Sequence, residues 1–236
     1  AKLTALSMEE VTEDVQSLEQ QGIVKVFRMK KDTYVWHTIH EQHMRHRLTE
    51  ALCGYHEKYP YRYGMKKAEI HMTYMKKVKL NVFDLYVEML SEEGALKRHQ
   101  EFLQLPEFEV RKDSVYEKVL KTVQKQFEKA QFDFQRFSEI SFGNIKREEV
   151  EDIMLLLIDE DIVVKITEDI YTLKSIIEKA KEVIQNRLKE NPLITIAEVR
   201  DLLGTSRKSA KPILEYMDSI KVTKKNGTES ERVAYV

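Results

Sequence analysis

The sequence contains few of the residues that interrupt helices or cross-link a chain. Its 236 residues include 7 glycines, 4 prolines and one cysteine. So little glycine and proline leaves little room for loops, and indicates a mainly helical protein made of small modules. Because Cys53 is the single cysteine, an intrachain disulfide is excluded. A low cysteine content of this kind fits a reducing compartment.

Long apolar runs are also missing. No stretch approaches the roughly 18 consecutive apolar residues that cross a bilayer, and the N-terminus lacks the apolar core of a signal peptide. We therefore expect a cytoplasmic protein without membrane contact. An amphipathic helix pattern begins almost at once, within AKLTALSMEEV, so we expect a fragment of a longer protein.

Signatures of catalysis and nucleotide binding are absent too. No GxSxG elbow occurs, and the carboxylates lie on helix faces where solvation is their ordinary role. The string GTSRKSAK (204–211) lacks the second glycine directly before the lysine that a phosphate loop needs. We expect no enzyme activity and no cofactor in this chain.

Four histidines recur every three residues, at His37, His40, His43 and His46. Residues three apart share one side of a helix, which is one requirement for a metal site. This run, however, straddles a strand end and a helix start, so its members need not share one face. We interpret these histidines as solvated or partner-facing, and expect no metal.

Charge is unevenly distributed along the chain. The net charge is −1, with 33% charged and 42% hydrophobic residues. Residues 174–236 hold 13 lysines and arginines against 9 acids, a net charge of +4, so residues 1–173 carry −5. The cations are therefore concentrated at the C-terminal end, where an anionic partner would be attracted.

One pattern recurs four times, an amphipathic helix followed by a short extended run. The copies are 11–27, 83–99, 150–166 and 210–225. Gly22 and Gly94 stand where a helix end needs the left-handed conformation, with Asp161 as a poorer substitute in the third copy. We predict that these helices end there and that strands follow.

Two further helices precede each of the later copies. Long helices are predicted near 42–57, 113–131 and 174–189, and short second helices near 66–73, 145–150 and 196–203. Three helices followed by a hairpin is the order of a winged helix, a helix-turn-helix with a β wing. The predicted fold is mainly α with small β-hairpins, in tandem winged-helix modules that form an elongated array.

The module boundaries follow from these repeats. We predict a partial winged helix 1 at 1–39, winged helix 2 at 40–111, winged helix 3 at 112–173 and winged helix 4 at 174–236. No low-complexity linker separates them, which favours short and rigid connections.

The fourth module combines two basic elements. Its third helix begins with basic residues, and its wing is a lysine-rich hairpin whose turn, Asn226-Gly227, readily takes positive φ. We expect Ser206 to cap the helix, and we expect the positive helix end and Arg207 to attract the same phosphate oxygens. The residues predicted to face a nucleic acid are Ser206, Arg207, Lys208, Lys211, Lys224, Lys225 and Arg232.

Two segments resemble a known family. YHEKYPYRYGMKKAEI (55–70) and the closing TSRKSAKPILEYMDSIKVTKKNGTESERVAYV are similar to the C-terminal winged-helix extension of bacterial selenocysteine-specific translation elongation factors. The resemblance implies four tandem winged helices, of which the last binds the selenocysteine insertion hairpin of an mRNA. It also implies a tether that delivers selenocysteinyl-tRNA to a UGA codon on the ribosome, with GTP bound only by a region absent from this sequence.

The resemblance therefore predicts a monomeric mRNA-hairpin-binding protein of translation. It implies that the RNA is held by Arg207 and Lys208 at the helix start and by Lys224, Lys225 and Arg232 of the wing, with Ser206 and Lys211 as neighbours. The tip NGTES contains an acid and is longer than the family's tip, so the wing contacts are the least determined part of the site. Two alternatives remain open at this point. One is a DNA-binding transcription regulator, which would carry two or more basic recognition helices or form a symmetric dimer, and the other is a winged-helix scaffold for protein interactions.

Overall fold

The structure, a computed structural model, describes residues 7–235. Helices joined by small antiparallel sheets make up this part of the chain, which confirms the predicted fold class. The chain divides into two compact units, residues 1–110 and 111–236. The four predicted module boundaries and the elongated arrangement stay predictions, and residues 1–6 of the first predicted module lie outside the described residues.

The first unit contains four helices and five strands among its described residues. They are α1 (Met8–Gln20), β1 (Val24–Arg28), β2 (Thr33–His37), α2 (Thr38–Lys58), β3 (Met65–Lys66), α3 (Lys67–Tyr74), α4 (Leu80–Glu92), β4 (Lys97–His99) and β5 (Phe102–Gln104). Strands β1 and β2 form a two-stranded antiparallel sheet, and the other three form a sheet in the order β3-β5-β4. Phe27 and Trp36 of the β1–β2 hairpin pack on the same core as the helices α2 to α4.

The second unit repeats this arrangement, and its last wing is longer than that of the first unit. Its elements are α5 (Ser114–Ala130), α6 (Arg147–Asp159), β6 (Val163–Thr167), β7 (Ile170–Leu173), α7 (Lys174–Glu190), β8 (Leu193–Thr195), α8 (Ile196–Leu203), α9 (Arg207–Ser219), β9 (Thr223–Asn226) and β10 (Thr228–Ala234). The sheet order β8-β10-β9 reproduces the order β3-β5-β4 of the first unit. Two segments of the chain thus share the winged-helix order of helix, strand, helix, helix and two-stranded wing.

One predicted helix is misplaced. The sequence pattern predicts a short second helix near 145–150, but these residues straddle the start of α6, which begins at Arg147. The short element before α6 is instead a 3₁₀ turn at Phe137–Glu139. Arg136 pairs with Ile170 there in an isolated β-bridge, the place that β3 or β8 takes in the other modules. A single turn has no amphipathic period, which is why the sequence pattern does not reveal it.

The four repeated helices end in the same way. Two residues after each last helical residue stands a left-handed residue, namely Gly22 (φ 70°), Gly94 (φ 70°), Asp161 (φ 60°) and Lys221 (φ 57°). In each case the next N–H donates to the carbonyl five residues before it, closing a Schellman motif. The prediction for the first three is confirmed. Lys221 adopts the same conformation in the fourth repeat, where its Cβ makes positive φ unfavourable.

The core of the fourth module includes side chains from the third. Phe134, which follows α5, is buried among residues of α7, α8 and α9, and Phe132 packs against the same cluster. Val164, Ile166 and Ile170 of β6 and β7 cover it as well. The last two modules therefore share one hydrophobic core, so the position of α9 depends on both. Among residues 7–235, no helix is long and apolar enough to span a membrane.

Candidate nucleic-acid interface

The basic residues at the start of α9 lie on its solvent side. Gly204 ends α8 in the left-handed conformation (φ 59°), and after two more residues Arg207 begins α9. One side of α9 is buried, through Ser209, Ala210, Ile213, Leu214 and Met217. Arg207, Lys208 and Lys211 are exposed. Because residues three and four apart are neighbours on a helix, these three cations form one stripe.

Arg207 and Lys208 have no ion-pair partner among residues 7–235, whereas Lys211 Nζ lies 3.7 Å from Glu215 Oε1. The first turn of α9 holds no acidic residue. The partial positive charge of the helix end is therefore added to two exposed, uncompensated cations. An anion would find both backbone N–H donors and side-chain donors at this place.

Ser206 does not cap α9, contrary to our prediction. It occupies the N-cap position, but its side chain makes no capping hydrogen bond. Its hydroxyl donates instead to Asp133 Oδ1 at 2.9 Å, and the hydroxyl of Ser209 lies 3.3 Å from the same oxygen. An aspartate from the preceding module competes for the hydroxyl, which a reading of the local sequence cannot foresee.

Residues 132–134 are hydrogen-bonded to the α8–α9 turn and to the start of α9. The hydroxyl of Thr205 donates to the carbonyl oxygen of Phe132 at 2.6 Å, and the N–H of Phe134 donates to the Ser209 hydroxyl at 3.0 Å. With Phe134 in the shared core, these bonds fix the turn that precedes Arg207. The start of α9 is thus tied to the third module while its arginine and lysines still face solvent.

The two wing lysines point to opposite faces of the hairpin. In the β9–β10 register Lys224 lies opposite Val233, and Lys225 lies opposite Arg232. Successive side chains of a strand point to opposite faces. Lys224 Nζ lies 5.8 Å from the ring centre of Tyr235, while Lys225 Nζ bonds Glu229 Oε1 at 2.7 Å. The lysine pair therefore does not act as one contact.

Lys225 lies opposite Arg232 in the wing, and its partner is an acid of the same wing, Glu229. Hydrogen bonding to Lys225 holds the pKa of the Glu229 carboxyl below its usual range, with Lys211 and Arg232 contributing at longer range. Both basic elements therefore lower the pKa of the same carboxyl group. Glu229 and Glu215 are the acids that an incoming phosphate would displace.

Arg232 is not available to RNA, which corrects its assignment as a binding residue. It is 1% exposed. Its Nε donates to Asp218 Oδ2 at 2.7 Å, and its Nη1 donates to the carbonyls of Glu229 at 2.9 Å and Glu231 at 3.0 Å. The strand alternation turns Arg232 towards α9, where it ties the wing to the helix end. A positive residue on a predicted wing was mistaken for a surface contact because the sequence does not show which face packs.

Three of the seven predicted residues, Arg207, Lys208 and Lys211, form one exposed stripe, and together with Lys225 of the wing we call them the α9 surface. Ser206 is bonded to Asp133, Arg232 is buried, and Lys224 lies on the opposite face of the wing from Lys225. Sequence reasoning missed Tyr235, which is 48% exposed beside Lys224. An exposed ring next to a cation is a stacking surface for an unpaired base. The sequence does show an aromatic residue directly after the predicted wing, and that residue could have been included among the candidates.

The histidine run takes up separate local roles. His37 is the N-cap of α2 and its Nδ1 accepts from the N–H of Ile39 at 3.2 Å, while His46 Nε2 lies 3.4 Å from Glu50 Oε1. Within the part of the chain that the structure describes, no group of three His, Cys, Asp or Glu residues could hold a metal ion.

This geometry defines a tandem winged-helix protein with a basic third helix, the class that binds nucleic acids through that helix and its wing. Two segments match family models for the winged helix of elongation factor SelB, residues 49–105 and residues 186–230. These are the two modules with the complete strand and helix order. The resemblance to the winged-helix extension of selenocysteine-specific elongation factors is confirmed.

A curated relative and two solved structures are similar to this chain. The selenocysteine-specific elongation factor of Desulfomicrobium baculatum is 24% identical over 185 residues, which cover 77% of this chain and 29% of that protein. The chain thus spans less than a third of its relative. The mRNA-binding domain of SelB from E. coli, solved in complex with SECIS RNA, is 19% identical with a TM-score of 0.45, covering 53% of this chain and all of that one. A bacterial selenocysteine-specific elongation factor EF-Sec is 18% identical with a TM-score of 0.46, covering 89% of this chain and 32% of that one.

Proposed function

We propose that this chain binds an mRNA hairpin, the selenocysteine insertion element, through the α9 surface. The observation that carries the proposal is the pair of exposed, unpaired cations, Arg207 and Lys208, on the first turn of α9 in a SelB-type winged helix. The matched relative is a selenocysteine-specific elongation factor. The chain would accordingly tether delivery of selenocysteinyl-tRNA to a UGA codon on the ribosome, in the cytoplasm, as a binding segment without catalysis of its own.

The chemistry of the α9 surface suits a folded RNA. An A-form stem hides its base edges in a deep, narrow groove, so a protein recognises it by its backbone and by bases turned out of a loop or bulge. Arg207 has the planar fork that can bind a phosphate or guanine edge and can stack on a free base. Lys208, Lys211 and Lys225 are point charges that suit the backbone. We therefore assign specificity to the arginine and general affinity to the lysines.

The proposal is tested by measuring the affinity of the whole chain for a panel of RNA hairpins that differ in loop and bulge. The whole chain is needed because Phe134 of the third module belongs to the core of the fourth. Arg207→Ala should weaken the best hairpin by about 1–3 kcal/mol and reduce discrimination within the panel. Lys225→Ala should cost less and act alike on every hairpin.

The matched control is Arg200→Ala, which removes an exposed arginine of α8 that is already paired with Asp201. Its affinity should equal that of the wild type. With about four phosphates contacted, the logarithm of the binding constant should fall with log salt at a slope of about −3 to −4. Equal binding by wild type and Arg207→Ala would remove the assignment. Stronger binding to duplex DNA would favour a transcription regulator, and indifference to every nucleic acid would favour a protein scaffold.

A further inference from the structure

A second group of lysines lies on the first unit, at the tip of the β1–β2 hairpin and in the turn between α3 and α4. Its members, all exposed, are Lys30, Lys31, Lys76, Lys77 and Lys79, and we call them the lysine patch. Both of its segments are closed by backbone hydrogen bonds, from Met29 to Asp32 at 2.9 Å and from Val78 to Met75 at 2.8 Å. The lysines therefore stand on defined turns.

Contacts between the two turns make the patch one surface. Lys79 Nζ lies 5.1 Å from the ring centre of Tyr34, which follows the hairpin tip on β2. Tyr34, Met29 and Val78 all pack against the core of this unit. A hydrogen bond to Tyr34 raises the pKa of Lys79. The hairpin that carries Lys30 and Lys31 and the turn that carries Lys76 and Lys77 are thus joined through Tyr34 and the common core.

The charges of the patch are largely uncompensated. Other lysines of this unit are paired with carboxylates, as in Lys25–Glu93, Lys66–Glu101 and Lys67–Asp84. Lys30, Lys31, Lys76 and Lys77 have no ion pair among residues 7–235, and Asp32 is the acid that acts on Lys79. Here one sign dominates, which favours an anionic partner.

The patch occupies the same end of its module that Arg207 occupies in the fourth. Lys79 is the N-cap of α4, the third helix of that module, and the first turn of α4 holds no acid. The corresponding helix of the third module, α6, carries Glu148 and Glu149 in its first turn. The helix start itself, Lys79-Leu80-Asn81, holds one cation. The hairpin of the preceding repeat adds Lys30 and Lys31, and the adjacent turn adds Lys76 and Lys77.

We propose that the lysine patch is a second RNA-binding surface, which holds the sugar-phosphate backbone of an A-form duplex without reading its sequence. Lysines supply adjustable point charges and lack the bidentate fork that reads a base edge. An A-form duplex presents closely spaced phosphates and hides its bases. The choice of RNA over DNA rests on the proposed function, whereas the surface itself does not.

The test compares two fourfold variants of the whole chain. The patch variant is Lys30→Ala, Lys31→Ala, Lys76→Ala and Lys77→Ala, with Lys79 kept because it packs on Tyr34. The control variant replaces four lysines along α5, Lys118, Lys121, Lys125 and Lys129, which are also exposed. Both variants remove the same charge and put alanine at surface positions. Thermal unfolding first establishes that both variants are folded. If the fourfold patch variant does not fold, the double variant Lys76→Ala with Lys77→Ala replaces it in the test.

The probes are a blunt RNA duplex without a loop, a DNA duplex of the same sequence, and the best hairpin of the panel. For the RNA duplex we expect the patch variant to lose about tenfold or more in affinity at low salt, and the salt slope to fall by about 3. The control variant should stay close to the wild type. Arg200→Ala, which removes a paired arginine outside both surfaces, should leave duplex binding unchanged.

Each outcome separates this proposal from the proposed function. Equal loss in the patch and control variants, or no loss in either, overturns the lysine patch and leaves the Arg207 site as it stands. Loss of duplex binding in the patch variant, with Arg207→Ala indifferent to every hairpin, supports the patch and overturns the hairpin site. An equal or larger effect on the DNA duplex overturns the assignment to RNA.

Discussion

Replacing Arg232 by methionine should destabilise the fourth winged helix rather than remove an RNA contact. Methionine keeps much of the length of the side chain but none of its donors. The change removes three hydrogen bonds, to Asp218 and to the carbonyls of Glu229 and Glu231. It leaves the Asp218 carboxylate, 21% exposed, without its cation.

The loss of unfolding free energy can be estimated from the Asp218 carboxylate, which Arg232→Met leaves without its ion-pair partner. Removing one partner of a buried ion pair costs about 3–5 kcal/mol, because the other charge stays buried. The Thr223 hydroxyl still donates to Asp218 Oδ1 at 2.6 Å and part of the carboxylate reaches water. We therefore expect about 3 kcal/mol of lost unfolding free energy. That corresponds to a fall of about 10 °C in the melting temperature of the second unit.

Thermal and urea unfolding measure this loss, and hairpin affinity is measured well below the melting temperature. The double variant Asp218→Leu with Arg232→Met should recover much of the stability, since apolar replacement of both partners removes the unpaired charge. Lys225→Met is the matched control, an exposed cation opposite Arg232 on the wing, and should leave the melting temperature unchanged. An Arg232→Met protein with wild-type stability and weakened RNA binding would refute the buried role and restore Arg232 as a contact.

Three further predictions concern the packing of the two units. Burial lowers the pKa of His56, and its Nε2 accepts from the N–H of Leu105 at 3.2 Å, so the folded state disfavours protonation. The unfolded state then binds more protons, and urea titrations should show the stability of the first unit falling as the pH drops below 6.5, the ordinary pKa of the group. Gly64→Ala would place a Cβ 2.1 Å from the carbonyl oxygen of Leu103, so we expect a loss of about 2 kcal/mol or more in urea unfolding. Phe134→Ala should cost about 3–5 kcal/mol and weaken hairpin binding as well, because that ring supports the core behind α9.

Each of these three predictions has a control variant or a specific result that would contradict it. His56→Gln should flatten the pH dependence, and an unchanged slope would mean that another group titrates. Gly54→Ala is the control for Gly64, since its Cβ would meet nothing within 4 Å, and equal costs for the two would contradict the steric reason. If Phe134→Ala lowered stability yet left hairpin affinity intact at low temperature, the third module would not position α9.

Local chemistry accounts for what could be predicted. Gly22 and Gly94 mark helix ends because few other residues adopt positive φ, and Asn226-Gly227 marks the hairpin for the same reason. Helical periodicity revealed the long helices and hence the winged-helix order. The short 3₁₀ turn at Phe137–Glu139 escaped because it has no period to detect.

The site could be predicted only where exposure followed from a helix pattern. Arg207, Lys208 and Lys211 sit opposite an apolar stripe, so their exposure could be read from the sequence, and the structure agrees. The wing was harder, since a strand shows which residues share a face but not which face packs. Arg232 and Lys225 share a face, and one is buried while the other is exposed.

The sequence by itself determined the repeated modules, their helices and the basic start of the last helix, because caps, turns and amphipathic periods act within a few residues. The tertiary structure alone decided that Asp133 accepts from the Ser206 hydroxyl, that Arg232 is buried against Asp218, and that Lys79 lies over the ring of Tyr34. These contacts join residues that are distant along the chain. These contacts form only when the helices and strands pack together, and local sequence patterns do not predict that packing.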